Sequence, residues 1–406
     1  MEFGYITFDN QEHQEIIDVL KRVNAGTIDE LGLGRIRDFF SNQMFPGMST
    51  LHNRAKYFVL LPSLYEQLSR SVKSAKDIPE KLKEWERNMT ISLLRGKDNN
   101  DDKNGITGGD FTIEQIEAGA FVKNTPTDIY LSSLRFFGLV DNSANLYTQI
   151  EKESKRVKMS KLTADEKREN GDSDEPIGGT DATFCCFPGY DFEHSASPIS
   201  LSLTHYEAEV LKSRICKKCE GRLYAHLLQN EDIPIVSDFH AMKNELHNKL
   251  PIELSDIFDK AYDFSLWAQV VNTYYRYVYY QLLHDSNEAN LLMTNINVRL
   301  HDSNESFPSK ERIKEILDYV EKDKDFKDSN NVIEFCKEVN NIIRESDKGE
   351  SLVNLIIMRE KLIKPGHNKI DNPRYSKEAL NCEAPRYTYR WNSIVYSMIR
   401  DIRNFK

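Results

Sequence analysis

The feature that most constrains this chain is a recurring helix-start signal set ahead of apolar residues at helical spacing. Thr112 with Gln115, and Thr204 with Glu207, have the form of capping boxes. In a capping box the hydroxyl accepts a first-turn N–H and the third residue's side chain returns to the cap. Thr125 is a third cap, with Pro126 at the first helical position, Asp128 in the first turn and Gly138 where the helix should stop. Long apolar stripes follow the same period: Phe264, Trp267, Val271, Val278 and Leu282 within 252–283. With only 18 Gly and 13 Pro in 406 residues, turns are too few for an all-β chain. The expectation is a mainly α, multi-helical protein of two or more packed helical subdomains, with few short strands and a small winged-helix-like unit.

Further helices are predicted over 10–22, which carries Ile16, Ile17, Val19 and Leu20, over 27–40, and over 308–322, 331–344, 351–363 and the closing 389–403. "YITF" at 5–8 reads as a short strand and "LVDNSANLYTQI" at 139–150 as a small hairpin. The order helix, turn, helix, hairpin over 112–147 is that of a winged helix. Leu131, Leu134 and Phe137 would face inward, and Lys123, Asn124, Thr127 and Ser133 would face a groove. A structural helix pair has the same order. Residues 151–182 hold almost no large apolar side chains and read as a flexible linker or long loop. The expected division is therefore an N-terminal domain over 1–150, that linker, a central helical domain over 183–350 and a basic region over 351–406.

No run of about 18 apolar residues is present, and the first residues lack a basic stretch followed by an apolar one. Both point to a cytoplasmic chain with no membrane partner, whose six Cys stay reduced. Net charge is −10, unevenly spread. Residues 351–406 carry Arg359, Lys361, Lys364, Lys369, Arg374, Lys377, Arg386, Arg390, Arg400, Arg403 and Lys406 against five acids, a balance of +6 beside −16 for the rest. A basic end on an acidic chain suits an anionic partner, or an acidic surface of the same protein.

Two stretches join cations to groups that hold anions. "MFPGMSTLHNRAKYFVLLPSLY" at 44–65 has a Pro-Gly turn, then Ser49 and Thr50 at the expected start of a helix carrying His52, Arg54 and Lys56. Free N–H groups of a first turn can seat a phosphate, or Ser49 and Thr50 can simply cap the helix. "PRYTYRW" at 385–391 alternates: if extended, Arg386 and Arg390 face one way and Tyr387, Tyr389 and Trp391 the other. Stacking rings beside guanidiniums suit single-stranded nucleic acid, and a half-buried edge strand has the same pattern.

Catalytic signatures are incomplete. "GLG" at 32–34 has Arg37 where a dinucleotide loop needs its third Gly, and no P-loop, zincin or nucleophile-elbow motif occurs. "HNK" at 367–369 is a lone copy with Arg374 where an Asp would be required. Cys216 and Cys219 have zinc spacing, but adjacent Cys185 and Cys186 make a poor second pair. "HDSNE" at 284–288 and 301–305 is too short to signal a repeat. No metal or cofactor is expected.

The stretches 26–65, "TPTDIYLSSLRFFGLV" at 125–140, "LTHYEAEVLKSRI" at 203–215, "MREKLIK" at 358–364 and "YRW" at 389–391 together resemble the bacterial domain-of-unknown-function family 6361. That resemblance implies a setting in anti-phage gene clusters beside helicases and phospholipase-D-like nucleases, and assigns no catalytic residue. The expected function is a non-catalytic accessory component that binds DNA, a helicase–nuclease partner, or both. A divergent metal-dependent nuclease and a protein-only scaffold are the alternatives.

Overall fold

The computed structural model describes residues 29–96, 105–170, 183–194, 197–283, 285–301, 307–345, 349–366, 368–371 and 383–405, with side chains in the Leu146–Asn170 helix described only to residue 159. The expected strand at 5–8, the helix at 10–22, His367, Arg374, Lys377 and Lys406 lie outside them.

The described chain is mainly helical. In order run α1 Gly34–Met44, α2 Tyr57–Ser71, α3 Ile78–Arg95, α4 Ile113–Glu117, α5 Pro126–Phe136, α6 Leu146–Asn170 and α7 His205–Lys218. After these come α8 Leu223–Gln229, α9 Met242–Leu246, α10 Ile252–Leu282, α11 Ser286–Leu300, α12 Lys310–Glu321, α13 Val332–Ile342, α14 Gly349–Ile363 and α15 Tyr396–Arg403. Both expected capping boxes form, and Thr125, expected only as a cap, makes a third with Asp128: Thr112, Thr125 and Thr204 accept from the third-residue N–H of α4, α5 and α7. Among the described residues the β structure is one isolated antiparallel bridge, Val140 to Phe184.

Two compact units divide the chain discontinuously, one formed by Met1–Phe40 with Asp256–Tyr387 and the other by Ser41–Ser255 with Thr388–Lys406. The basic residues described in 351–405 fall in both of these units.

In the unit of Ser41–Ser255 and Thr388–Lys406, α2 is the central helix, packed on α3, α5, α6 and α7. Phe58, Leu61, Leu64 and Leu68 of α2 are buried, as are Trp85 and Met89 of α3 and Leu211 and Ile215 of α7. The helix does not stop at Pro62. The ring removes one backbone bond, and α2 continues to Ser71 with the Ser63 hydroxyl donating to the Val59 carbonyl at 2.9 Å. The turn before it depends on Gly47, at φ +77°, where a Cβ would stand 2.4 Å from Phe136 Cδ1. Gly47→Ala is expected to cost about 1–3 kcal/mol, from a left-handed backbone and overpacking together. Chemical denaturation measures it, and a loss below about 0.5 kcal/mol, the scale of a neutral surface change, would refute this account.

Residues 146–170 correct two expectations. The hairpin over 139–150 is absent: the bridge at Val140 is followed by Asn145, whose Oδ1 accepts from Thr148 N at 2.9 Å at the start of α6. The linker over 151–182 begins as helix, since α6 runs on to Asn170. Leu146, Ile150, Glu153 and Ser154 form its buried stripe, at i, i+4, i+7 and i+8. Half of that stripe is polar, which is why composition reads it as solvated.

In the unit of Met1–Phe40 and Asp256–Tyr387, α10 supplies Phe264, Trp267, Val271 and Val278 to the core. The antiparallel pair α12 and α13 packs through Ile316, Leu317 and Val320 against Val332, Phe335 and Val339, and α14 adds Leu352 and Ile356. A cleft of about 830 Å³ opens in this unit, with Tyr274 and Tyr277 of α10, Met293 of α11, and Arg344 and Glu350 on its wall.

Candidate functional site

The turn at 44–65 is the leading candidate for an anion seat, yet its His52, Arg54 and Lys56 turn inward. The expected helix does not begin near Ser49: α2 starts at Tyr57, and its preceding residue, Lys56, makes no side-chain cap. Ser49 instead closes a local turn, its Oγ accepting from Leu51 N at 3.3 Å. Thr50 is exposed, and so is Leu51, which helical spacing would place on the buried face.

His52 is fully buried, stacked on the Tyr130 ring at 4.6 Å and 3.2 Å from Ser133 Oγ through Nε2. Burial lowers its pKa to about 4, so the imidazole is neutral at neutral pH and brings no charge to an anion. Arg54 Nε donates to Asp401 Oδ2 at 2.9 Å, and the same oxygen accepts from Ala55 N at 3.2 Å. Lys56 Nζ donates to Glu207 Oε2 at 2.7 Å and to the Ser202 carbonyl at 2.9 Å. Its ammonium stands 5.4 Å from the centre of the Tyr190 ring, whose hydroxyl donates to the other Glu207 oxygen. Lys56 and Glu207 are each 3% exposed. Desolvation pulls the Lys56 pKa below its ordinary value, and the Glu207 hydrogen bond opposes that pull.

Beside these pairs lies a carboxyl without a salt-bridge partner among those described. Glu86 of α3, 1% exposed, accepts the N–H of Thr127 in the first turn of α5 at 2.7 Å. Burial raises its pKa to about 7, opposed by the Thr127 hydrogen bonds. Tyr65 OH lies 2.9 Å from Thr127 Oγ1, Tyr57 OH accepts from Thr107 N at 2.8 Å, and Tyr130 OH accepts from Asn53 N at 2.8 Å.

The proposed groove face of α5 is therefore divided. Lys123 and Asn124 are exposed, whereas Thr127 and Ser133 are buried against Glu86 and His52.

The segment 385–391 is not a strand. Tyr389 and Arg390 have φ of 51° and 67°, and a π-turn over Trp391–Val395 comes next, so the alternation has no sheet to express it. Arg386 Nε donates to Gln269 Oε1 at 3.1 Å, and Tyr387 stacks with Phe264 at 6.2 Å between centroids. In the other unit, Tyr389 and Trp391 are 1% exposed, and Arg390 donates to Asn42 Oδ1 at 3.0 Å and the Met48 carbonyl at 2.6 Å. Trp391 Nε1 donates to Val236 O at 2.9 Å. Tyr389 and Trp391 thus form core, while Tyr387 is half-buried.

The other basic side chains described in 351–405 are also engaged. Arg403 donates to the carbonyls of Leu227, Asn230 and Ile233, and Arg400 approaches Asp401 at 3.6 Å. In the other unit Arg359 Nε donates to Leu31 O at 2.8 Å, Lys364 and Lys369 both pair with Glu30, and Lys361 meets Asp371 at 3.0 Å. Glu360, fully buried, accepts from Tyr275 OH at 2.7 Å and Lys369 N at 2.8 Å. Asp29 accepts from Gly34 N at 2.8 Å, and burial raises its carboxyl pKa.

Each stretch that carried the sequence resemblance thus meets another inside one unit. Residues 44–56 meet 125–140, 203–215 and 389–391, and residues 29–34 meet 358–364. Residues 2–155 match the family model DUF6361. It is described as a family of unknown function. The match takes in the turn at 44–56 and α2 through α5, and ends within α6. Of the buried carboxylates in the unit of Ser41–Ser255 and Thr388–Lys406, Glu86 and Glu153 lie inside the DUF6361 match, while Glu207 and Asp401 lie beyond it. No curated protein and no solved structure matches the chain.

Sequence reasoning missed Glu86, Asp401, Glu30 and Glu360 as partners. Glu207 alone had a signal, as the third residue of a capping box. Cys185, Cys186, Cys216, Cys219 and Cys336 are free thiols, and burial pushes Cys219 up to about 12. Among the described residues no group of three or more His, Cys, Asp or Glu is placed to hold a metal ion, and no helix is long and apolar enough to cross a membrane.

Proposed function

We propose that this protein is a non-catalytic structural component that acts through contacts with other proteins and not through contacts with phosphates. One observation carries the reading: the cations nominated for anion binding at 52–56 and 386–390 are buried or bonded to the chain's own carboxylates, amides and carbonyls. A guanidinium already satisfied by two acceptors would have to break them to reach a phosphate, and nucleic-acid affinity comes mainly from cations free to displace counterions. The setting that the family resemblance implies, anti-phage gene clusters with helicases and phospholipase-D-like nucleases, supplies the class of protein partner. DNA contact and a winged-helix role for α4 and α5 now rest on the exposed Lys123 and Asn124.

Gel-shift titration with duplex and single-stranded DNA, at two salt concentrations and with and without Mg²⁺, tests this reading. The expected result is no salt-dependent shift at about 1 μM protein, the tight end of ordinary non-specific binding. A shift that weakens with salt would restore the DNA reading, and Mg²⁺-dependent cleavage would replace both with a nuclease. Arg390→Glu is expected to lower stability by about 1–3 kcal/mol, because Asn42 and the Met48 carbonyl lose their donor, without changing DNA binding.

A further inference from the structure

The cleft of about 830 Å³ has the size of a small-molecule site and takes its walls from three helices. Tyr274 and Tyr277 of α10, Met293 and Leu300 of α11, and Val353 of α14 give it an aromatic and aliphatic side. The two tyrosine rings stand 5.3 Å apart between centroids, tilted by 54°. Ring faces of this kind attract cations, most strongly where water is partly excluded.

Three groups on the wall are uncommitted. Tyr274 is 3% exposed, yet its hydroxyl has no hydrogen-bond partner among the described residues, whereas the Tyr277 hydroxyl accepts from Gln281 Nε2. A phenol so far from bulk water ordinarily finds a partner. Burial pushes its pKa up to about 12, so it stays neutral, with lone pairs able to accept an N–H. The other two are Glu345 and Glu350, the latter in the first turn of α14. Both are exposed, and neither carboxylate meets a cation or a hydrogen-bond donor among the described residues. The one guanidinium on the described wall, that of Arg344, is held over the Phe307 ring, its central carbon 4.7 Å from the centroid. Acceptors and negative charge therefore prevail beside the rings.

We propose that this cleft binds a small organic dication, two ammonium or guanidinium groups on a short apolar stem. The stem lies along Met293, Leu300 and Val353, the cationic ends face Glu345 and Glu350, and one N–H reaches the Tyr274 hydroxyl. Such a site is independent of the structural role proposed above.

Isothermal titration calorimetry of the full chain with agmatine tests it. The expected dissociation constant is about 0.1–1 mM, ordinary for a ligand of that size, with affinity falling as salt is added. 4-Guanidinobutyrate, which has a carboxylate in place of the ammonium, is expected to bind about tenfold more weakly or worse. Glu345→Gln/Glu350→Gln changes two exposed positions and is expected to lose about tenfold in affinity for agmatine. Tyr274→Phe keeps the ring and is expected to lose several-fold. Equal or tighter binding of 4-guanidinobutyrate would place an anion on Arg344 and overturn the proposal. No heat up to about 10 mM agmatine, tenfold above the weaker limit, or full affinity in either variant, would overturn it equally.

Discussion

Lys56→Met is expected to destabilise its unit by about 3–5 kcal/mol, the range for breaking a buried ion pair from one side. The loss comes chiefly from what remains. Glu207 would keep the Tyr190 hydroxyl and the Thr204 N–H at 2.8 Å, but its charge would stay buried with no cation facing it. Glu207 also closes the capping box of α7, so Lys56 neutralises the carboxylate that starts that helix. Glu207→Gln keeps the box acceptor and strands the ammonium instead, which can shed its proton because its pKa is already lowered. Its loss should therefore be the smaller of the two. The double variant Lys56→Met/Glu207→Gln removes both charges and should be more stable than Lys56→Met alone. Urea denaturation gives all three values. A loss under about 1 kcal/mol for Lys56→Met would mean that the pair behaves as a surface salt bridge and would contradict its burial.

That pair also shows what could be read from the sequence and what could not. Capping and periodicity are local, so α5, α10 and α12 to α14 were legible within a residue or two, and the start of α7 from its cap. The charge partners are set by tertiary packing: Lys56 and Glu207 lie 151 residues apart, and Arg54 and Asp401 lie 347 apart. Nothing in either neighbourhood reports the other, and so "HNRAK" reads as cationic and available. The same blindness explains α6, whose buried Glu153 and Ser154 look solvated when composition alone is weighed. The alternation in "PRYTYRW" marked the buried rings correctly, but two left-handed residues end the extended backbone that the pattern presumed. A net charge of +6 over the last 56 residues was a true property of the sequence. It did not translate into a free basic surface, because Arg359, Lys369, Arg386, Arg390 and Arg403 donate inside the protein.

The second large effect concerns pH, and two buried groups oppose each other in it. Glu86 has its folded pKa raised from 4.5 to about 7, so the folded state holds a proton that the unfolded state has lost. Its stabilising contribution is full below pH 4.5 and is lost as pH rises through 7, about 3 kcal/mol in all. His52 has its folded pKa lowered from 6.5 to about 4, so its contribution is full above pH 6.5 and is lost as pH falls through 4, by a similar amount. Between pH 4.5 and 6.5 the two slopes nearly cancel, and wild-type stability from this pair should be almost flat. Glu86→Gln removes one slope while keeping an acceptor for Thr127 N. It is expected to gain about 3 kcal/mol on wild type between pH 4.5 and 8, and to lose stability on acidification through the His52 range. His52→Asn should show the opposite, losing stability as pH rises toward 7. Denaturation of the three proteins at half-unit steps of pH separates them, because groups common to all three cancel in the differences. Parallel curves would show that neither group is held out of water in the way its surroundings require: Glu86 against α5, His52 between Tyr130 and Ser133.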